Sequence, residues 1–152
     1  MNWKKNVIVD LDGTIFNLDH RLHFIREKPT NWPAFFRAAD RDTPIDEVLQ
    51  VLYALLAAGY HPVFITGRSN MIEDITRVAL EQVELGAGVE LYMRREGDYR
   101  EDSIVKLELL NEAFPEPEDK ATILGVFEDR QQVVDMYRAQ GLRVFQVADG
   151  KF

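Results

Sequence analysis

Asn6-Val7-Ile8-Val9-Asp10-Leu11-Asp12-Gly13-Thr14 is the stretch on which the fold turns. A short run rich in valine and isoleucine stops at a carboxylate, meets a second carboxylate two residues later and then a glycine turn. That is the pattern of a buried strand, 6–10, delivering acids to its own end. Working outward, apolar runs at 61–66, 89–93, 122–128 and 142–147 read as further strands. Apolar residues at helical spacing predict helices over 44–58, 69–85, 102–114 and 130–140. In the first helix Thr43 is placed to cap, Pro44 suits the first turn and Asp46 completes a capping-box pattern. Gly59, Gly86 and Gly141 can end helices, and Pro115 and Pro117 end the third. Strand and helix alternate throughout, so the expected class is an α/β layer fold on a parallel sheet of about five strands.

Composition bounds what such a fold can do. With 152 residues, 46% of them hydrophobic, the chain fits one domain over 1–152. Acidic residues outnumber basic ones by 26 to 18, and the net charge of −8 argues against coating long nucleic acid or an anionic membrane. Any nucleic-acid contact should therefore be local. The chain has no cysteine, hence no disulfide framework or thiolate metal cluster, and a cytoplasmic address is the default. Only Val7 to Val9 run uninterrupted before Asp10, so neither a signal peptide nor a membrane span is expected.

The irregular region is 15–42, too long for an ordinary loop, with short helices expected at 20–26 and 32–39. It reads as a small flap beside the site. Trp32, Phe35 and Phe36 there could form a lid or a substrate platform, but the expected reading is that they pin the flap to the core. His20 and His23 have helical metal-ligand spacing, but no third ligand accompanies them, and the same role of pinning the flap to the core is expected. Residues 115–119 read as an acidic loop.

Side chains at the carboxyl ends of parallel strands converge on a crevice. Asp10 and Asp12, Thr66, and Glu128 with Asp129 stand at such ends, and Lys106 lies inside the third helix. Carboxylates so gathered repel one another unless a divalent cation neutralises them, and an all-oxygen donor set favours Mg²⁺. Thr66, Lys106 and Arg68 could hold a phosphorylated substrate, so the chemistry suggested is phosphoryl transfer.

Asp10-Leu11-Asp12-Gly13-Thr14 resembles the first motif of the haloacid dehalogenase superfamily; Thr66-Gly67-Arg68, Lys106 and Glu128-Asp129 resemble the second, third and fourth, in order. The resemblance implies a three-layer Rossmann-like fold with no large cap domain, since residues 94–101 are too short to hold one. It implies Asp10 as nucleophile and Asp12 as acid and base, with Thr66 and Lys106 on the phosphoryl oxygens. Mg²⁺ would sit among Asp10, the Asp12 main-chain carbonyl, Asp129 and Glu128. Glu128 stands where closer relatives often carry aspartate, which shifts the weight to Asp129.

A narrower resemblance covers the last 60 residues or so: 94–102 with Lys106, 128–138 and 146–152 are similar to the phosphatase domain of phage-type polynucleotide kinase-phosphatases. It implies an enzyme that removes 3′-phosphates from nucleic-acid ends or nucleotides, with Gly67, Arg68, Arg94, Arg100 and Arg130 around the substrate and Arg68 and Arg94 foremost. A bland reading of the arginines is a solvated face paired with Asp98, Glu101 and Asp102. No Gly-x-x-x-x-Gly-Lys-Ser/Thr loop occurs, so a stand-alone phosphatase without kinase activity is expected. The alternatives are a phosphatase of free nucleoside monophosphates and a receiver-like phospho-accepting module; Asp12, a built-in acid and base, speaks against the latter.

Overall fold

The computed structural model describes residues 3–150. Five strands, β1 (Asn6–Val9), β4 (His61–Ser69), β5 (Glu90–Arg94), β6 (Ile123–Glu128) and β7 (Val144–Gln146), form one parallel sheet in the order β5-β4-β1-β6-β7. The α/β expectation is met. Alternation along β1 sends Ile8 to one face and Val7 and Val9 to the other, and β4 splits Val63 and Ile65 from Phe64 in the same way. Both faces are covered, as a parallel sheet requires. Ile8, Val63 and Ile65 pack with Val105 and Leu109 of α5 (Asp102–Ala113) and Val133 and Val134 of α7 (Gln131–Ala139). Val7, Val9 and Phe64 pack with Leu49 and Leu52 of α3 (Asp46–Ala57) and Leu80 of α4 (Glu73–Gln82). Each fully buried aliphatic side chain contributes about 1.5–3 kcal/mol.

Strand order reverses beside β1: the chain proceeds to β4 and β5 on one side and returns to β6 and β7 on the other. The crevice of such a sheet opens outside the carboxyl ends of the strands flanking the reversal. Those ends carry Asp10 and Asp12, after β1, and Glu128 and Asp129, at and after the end of β6.

The flap departs from the expected outline in detail. It holds a two-residue strand β2 (Phe16–Asn17), a 3₁₀ turn at Asp19–Arg21, α1 (His23–Arg26), α2 (Trp32–Arg37) and a second 3₁₀ turn at Ala38–Arg41. Thr43 and Pro44 do not begin α3. They form β3 (Thr43–Pro44), antiparallel to β2, and the helix starts at Asp46 behind Ile45 without a side-chain cap. Pairing with Phe16 and Asn17 closes the flap at its base and takes these residues out of reach of the capping geometry. The expected acidic loop contains a one-turn helix, α6 (Pro117–Lys120), because Glu116 and Asp119 form a reciprocal capping box. Among the described residues no helix is long and apolar enough to cross a membrane.

Candidate active site

The turn after β1 places the first two carboxylates. Gly13 has φ +79°, a left-handed conformation, and a Cβ there would overlap Asp129 Oδ2. Glycine thus lets the first loop approach the last carboxylate. Thr14 Oγ1 donates to Asp10 Oδ2 at 3.0 Å and lies 3.4 Å from Asp129 Oδ1, tying the two loops together.

Lys106 is buried on α5 and meets three acids: Asp10 Oδ1 at 2.8 Å, Glu128 Oε2 at 2.9 Å and Asp102 Oδ2 at 3.4 Å. Burial alone would lower its pKa, but Asp10, Asp102 and Glu128 outweigh that and keep it an ammonium. Asp10 is pushed well above the usual carboxylate range, first by burial and then by the charge of Glu128. Burial, helped by Asp102 and Asp129, carries Glu128 up to about 7; burial and the charge of Asp10 carry Asp129 to about 7.

Oxygens of Asp10, Glu128 and Asp129 all lie within 4.8 Å of one another, a group that could hold a metal ion. With Lys106 counted, three carboxylates and one ammonium leave a charge of −2 when all are ionised, which suits a dication. Glu128 is the more committed member: Oε2 accepts from Lys106, and Oε1 accepts from the backbone N–H groups of Asp129 and Arg130. Asp129 keeps more free capacity.

Asp12 is handled differently. Its Oδ1 accepts from Arg21 Nη2 at 2.8 Å and from Arg68 Nε at 2.9 Å. Both guanidiniums are fully buried and are themselves held by Asp42, which accepts from Arg21 at 2.8 and 2.7 Å and from Arg68 at 2.8 Å. Arg21 also packs over the Phe35 ring, 4.3 Å to its centroid. Burial would raise the Asp12 pKa, yet Arg68 and Arg21 outweigh it and hold it below the usual range. Among the described residues Asp12 Oδ2 has no hydrogen-bond partner, so one oxygen is anchored and the other is left to the cavity that Asp12 lines.

That cavity, about 210 Å³, has Asp10, Asp12, Lys106 and Glu128 among its lining residues, with Gly67, Arg94, Asp102 and Arg130 also around it. Ile25, Trp32, Phe35 and Phe36 of the flap wall it, so the site is a recess rather than a bare surface although no cap domain is present.

Arg68, expected foremost at the substrate, turns the other way: it does not line the cavity, because Asp12, Asp42 and Thr76 Oγ1 at 3.3 Å take up its donors. Thr66 is fully buried and its Oγ1 accepts from Arg68 N–H at 3.1 Å. Arg94 lines the cavity, but its guanidinium chiefly fixes the neighbouring loop. It donates to the carbonyls of Gly67, Asp98 and Arg100 at 2.8–3.1 Å and to Asp102 at 3.1 Å. Arg100 is an exposed partner of Asp98 and Glu108, and Arg130 lies 3.6 Å from Asp102. His20 bonds Asp42 at 2.7 Å and His23 packs on Phe24; neither joins a metal-ligand group among the described residues.

Sequence reasoning missed Arg21, Asp42 and Asp102 as members of the site. The first two sit in the irregular flap, where no periodicity marks a direction. Asp102 carried a legible signal, standing one helical turn before Lys106, and it also explains Gly67, where a Cβ would overlap the Asp102 carboxylate.

The profile of the polynucleotide kinase PNKP phosphatase domain matches residues 4–152, flap included. A chain in a solved structure of the Pnkp1/Rnl/Hen1 RNA repair complex is 35% identical, with a TM-score of 0.80, and is matched over all of this chain and 45% of its own length. A protein of Autographa californica nuclear polyhedrosis virus, named for polynucleotide kinase and RNA ligase, is 29% identical over 132 residues, 87% of this chain and 17% of its own. L-2-haloacid dehalogenase from Xanthobacter autotrophicus, 12% identical with a TM-score of 0.65 over 94% of this chain and 77% of its own, shares the fold. The chain thus spans under half the length of the repair-complex chain and of the viral protein that it matches. From fold, strand-end carboxylates and a match along almost the whole sequence, it follows that the chain belongs to the family of polynucleotide kinase PNKP phosphatase domains, of haloacid dehalogenase type.

Proposed function

We propose that this domain removes 3′-phosphates from nucleic-acid ends through an aspartyl-phosphate at Asp10, with Mg²⁺ held by Asp10, Asp129, the Asp12 main-chain carbonyl and, more weakly, Glu128. The observation that carries this reading is the pairing of Asp10, held by Lys106, with Asp12, held by two arginines, at one cavity in a chain of this family. The bound cation would neutralise the carboxylates and the phosphate oxygens.

The chain's own groups account for the steps. Asp10 attacks phosphorus, the P–O3′ bond breaks, and Asp12 gives the leaving oxygen its proton. Asp12 then takes a proton from water, whose oxygen attacks phosphorus; the P–O bond to Asp10 breaks and phosphate leaves. The arginines favour ionised Asp12, ready as a base; an incoming phosphate monoester adds negative charge beside it and raises its pKa, so proton uptake accompanies substrate binding. Anchoring by Oδ1 leaves Oδ2 to carry the proton. Arg21, Asp42 and Arg68 act in this scheme as positioning residues, and Arg94, Gly67, Arg100 and Arg130 shape the substrate's side of the cavity, with Thr66 bracing the Arg68 turn. Free nucleoside monophosphates remain the rival substrate class.

A phosphatase panel tests the reading: 3′- and 5′-phosphorylated oligonucleotides and the corresponding mononucleotides, with and without Mg²⁺. The expected result is Mg²⁺-dependent phosphate release fastest from the 3′-phosphorylated oligonucleotide. Preference for 5′-monophosphates would overturn the assignment.

The acid cluster also predicts a pH signature in melting. Glu128 and Asp129 sit near 7 in the fold against ordinary values of 4.5 and 3.8. Their folded values are raised, so as pH climbs from about 4 through 7 the unfolded chain sheds protons first and the ion-free protein loses stability. A cation binds the ionised cluster, so its stabilisation grows with pH. At Mg²⁺ a hundredfold over Kd the gain is about 2.7 kcal/mol, roughly 5–10 °C in Tm. Thermal melts with EDTA and with Mg²⁺ should diverge from pH 5 to pH 8; a gap that narrows with pH would dismiss the cluster as the cation site.

A further inference from the structure

Two exposed aromatic side chains at the cavity have no part in the chemistry above. Phe35 and Phe36 are buried with Leu18, Leu22, Ala39 and Ile72 and pin the flap to the body, whereas Trp32 lies outside that cluster and is 36% exposed. Its ring is backed by theirs, edge-on to Phe35 at 5.6 Å and tilted on Phe36 at 5.9 Å. Tyr99 is 66% exposed, with no ring contact or hydrogen bond of its side chain among the described residues. Its loop is nonetheless fixed, since Arg94 binds the carbonyls on either side of it, of Asp98 and Arg100. Both residues line the same cavity as Asp10, Asp12 and Lys106. Leaving such rings in water forgoes hydrophobic free energy; Phe35 and Phe36 hold the ring of Trp32, and Arg94 holds the backbone that carries Tyr99.

We propose that Trp32 and Tyr99 form a stacking subsite for the nucleobase of the terminal nucleotide. The inference rests on the nucleic-acid-end reading and names what recognises the end. A cavity of about 210 Å³ falls short of the roughly 300–1,000 Å³ that encloses a drug-sized ligand, so phosphate and sugar occupy it while the base lies at the rim. With a net charge of −8 and Arg100 engaged by Asp98 and Glu108, a basic track along the strand is not what grips the substrate. Stacking supplies affinity without charge and without sequence preference, because every base offers a π-face. It also favours a nucleotide end over other phosphate monoesters.

The chain has two tryptophans, so Trp3→Phe leaves Trp32 as sole reporter, and Asp10→Asn prevents turnover during titration. In that double variant a 3′-phosphorylated trinucleotide should quench Trp32 emission and bind about tenfold tighter than the same ligand with an abasic terminal sugar. Adding Tyr99→Ala should shrink the tenfold advantage to about twofold. Trp32→Ala, followed by anisotropy of a labelled ligand, should do the same, and Trp32→Phe should restore most of it. No quench, no preference for the base-bearing ligand, or equal losses on both ligands would overturn the subsite. If Trp32→Ala fails to fold, Tyr99→Ala carries the comparison from its exposed loop. Quenching without any 3′-phosphate release by the parent enzyme would discard the proposed activity and support the subsite.

Discussion

Asp10→Asn is expected to lower kcat by roughly 10⁴- to 10⁶-fold, the scale on which removal of a nucleophile acts. An amide oxygen cannot take the phosphoryl group as a stable acyl phosphate, and no neighbour replaces it: Asp12 is turned to Arg21 and Arg68, and Glu128 is closed off by Lys106 and two backbone N–H groups. The fold should survive the change. Lys106 can still donate to the amide oxygen in the place of Oδ1, the Thr14 hydroxyl can accept from the amide NH2 in the place of Oδ2, and one member of a mutually repelling group is gone. Phosphate release from a 3′-phosphorylated oligonucleotide, measured beside a thermal melt, checks both halves. Activity above about 1% of the parent in a well-folded variant would rule out the covalent route through Asp10.

Lys106→Met should be the most damaging single change to stability. Methionine has nearly the length of lysine, so little volume is lost, but Asp10, Glu128 and Asp102 are left without the ammonium they surround. Breaking a buried ion pair from one side costs about 3–5 kcal/mol, a large part of the 5–15 kcal/mol that holds a typical domain together. The penalty should ease as pH falls from about 7 toward 4, because burial already holds Glu128 near 7 and loss of the ammonium raises the acids further, so protonation relieves the repulsion across that range. Urea unfolding of parent and variant at pH 7 and pH 5 measures the difference. Turnover should fall together with stability because Asp10 loses its orienting partner. A variant as stable as the parent at pH 7 would mean that Lys106 is not the counter-ion of the cluster.

The strand ends were legible because period-two alternation and abrupt carboxylates mark them without help from the rest of the chain. The sequence pointed to Asp10, Asp12, Lys106, Glu128 and Asp129 together; the structure brings the first four to one recess and sets Asp129 beside Asp10 and Glu128. The arginines were less legible. A guanidinium on a long, flexible stem can reach several partners from one backbone position, and motif order says nothing of which it takes. Arg68 was expected toward the phosphate and instead reaches back to Asp12 and Asp42, while Arg94 stitches Gly67 to the loop that carries Tyr99. The flap was the hardest part. Its short turns leave no periodic signal, and Arg21 and Asp42 gain meaning only where residues far apart in the chain meet.

What the sequence determined by itself was the parallel α/β layer and the set of acids at strand ends, since both follow from local patterning of apolar and charged residues. What tertiary structure alone decided was the state of each acid: Asp10 against a lysine 96 residues away, Asp12 clamped by arginines from the flap and from β4, Asp129 against Gly13. The reason is physical. A carboxylate's charge and reach depend on burial and on the counter-charges within a few ångströms, and those neighbours exist only once the chain has closed.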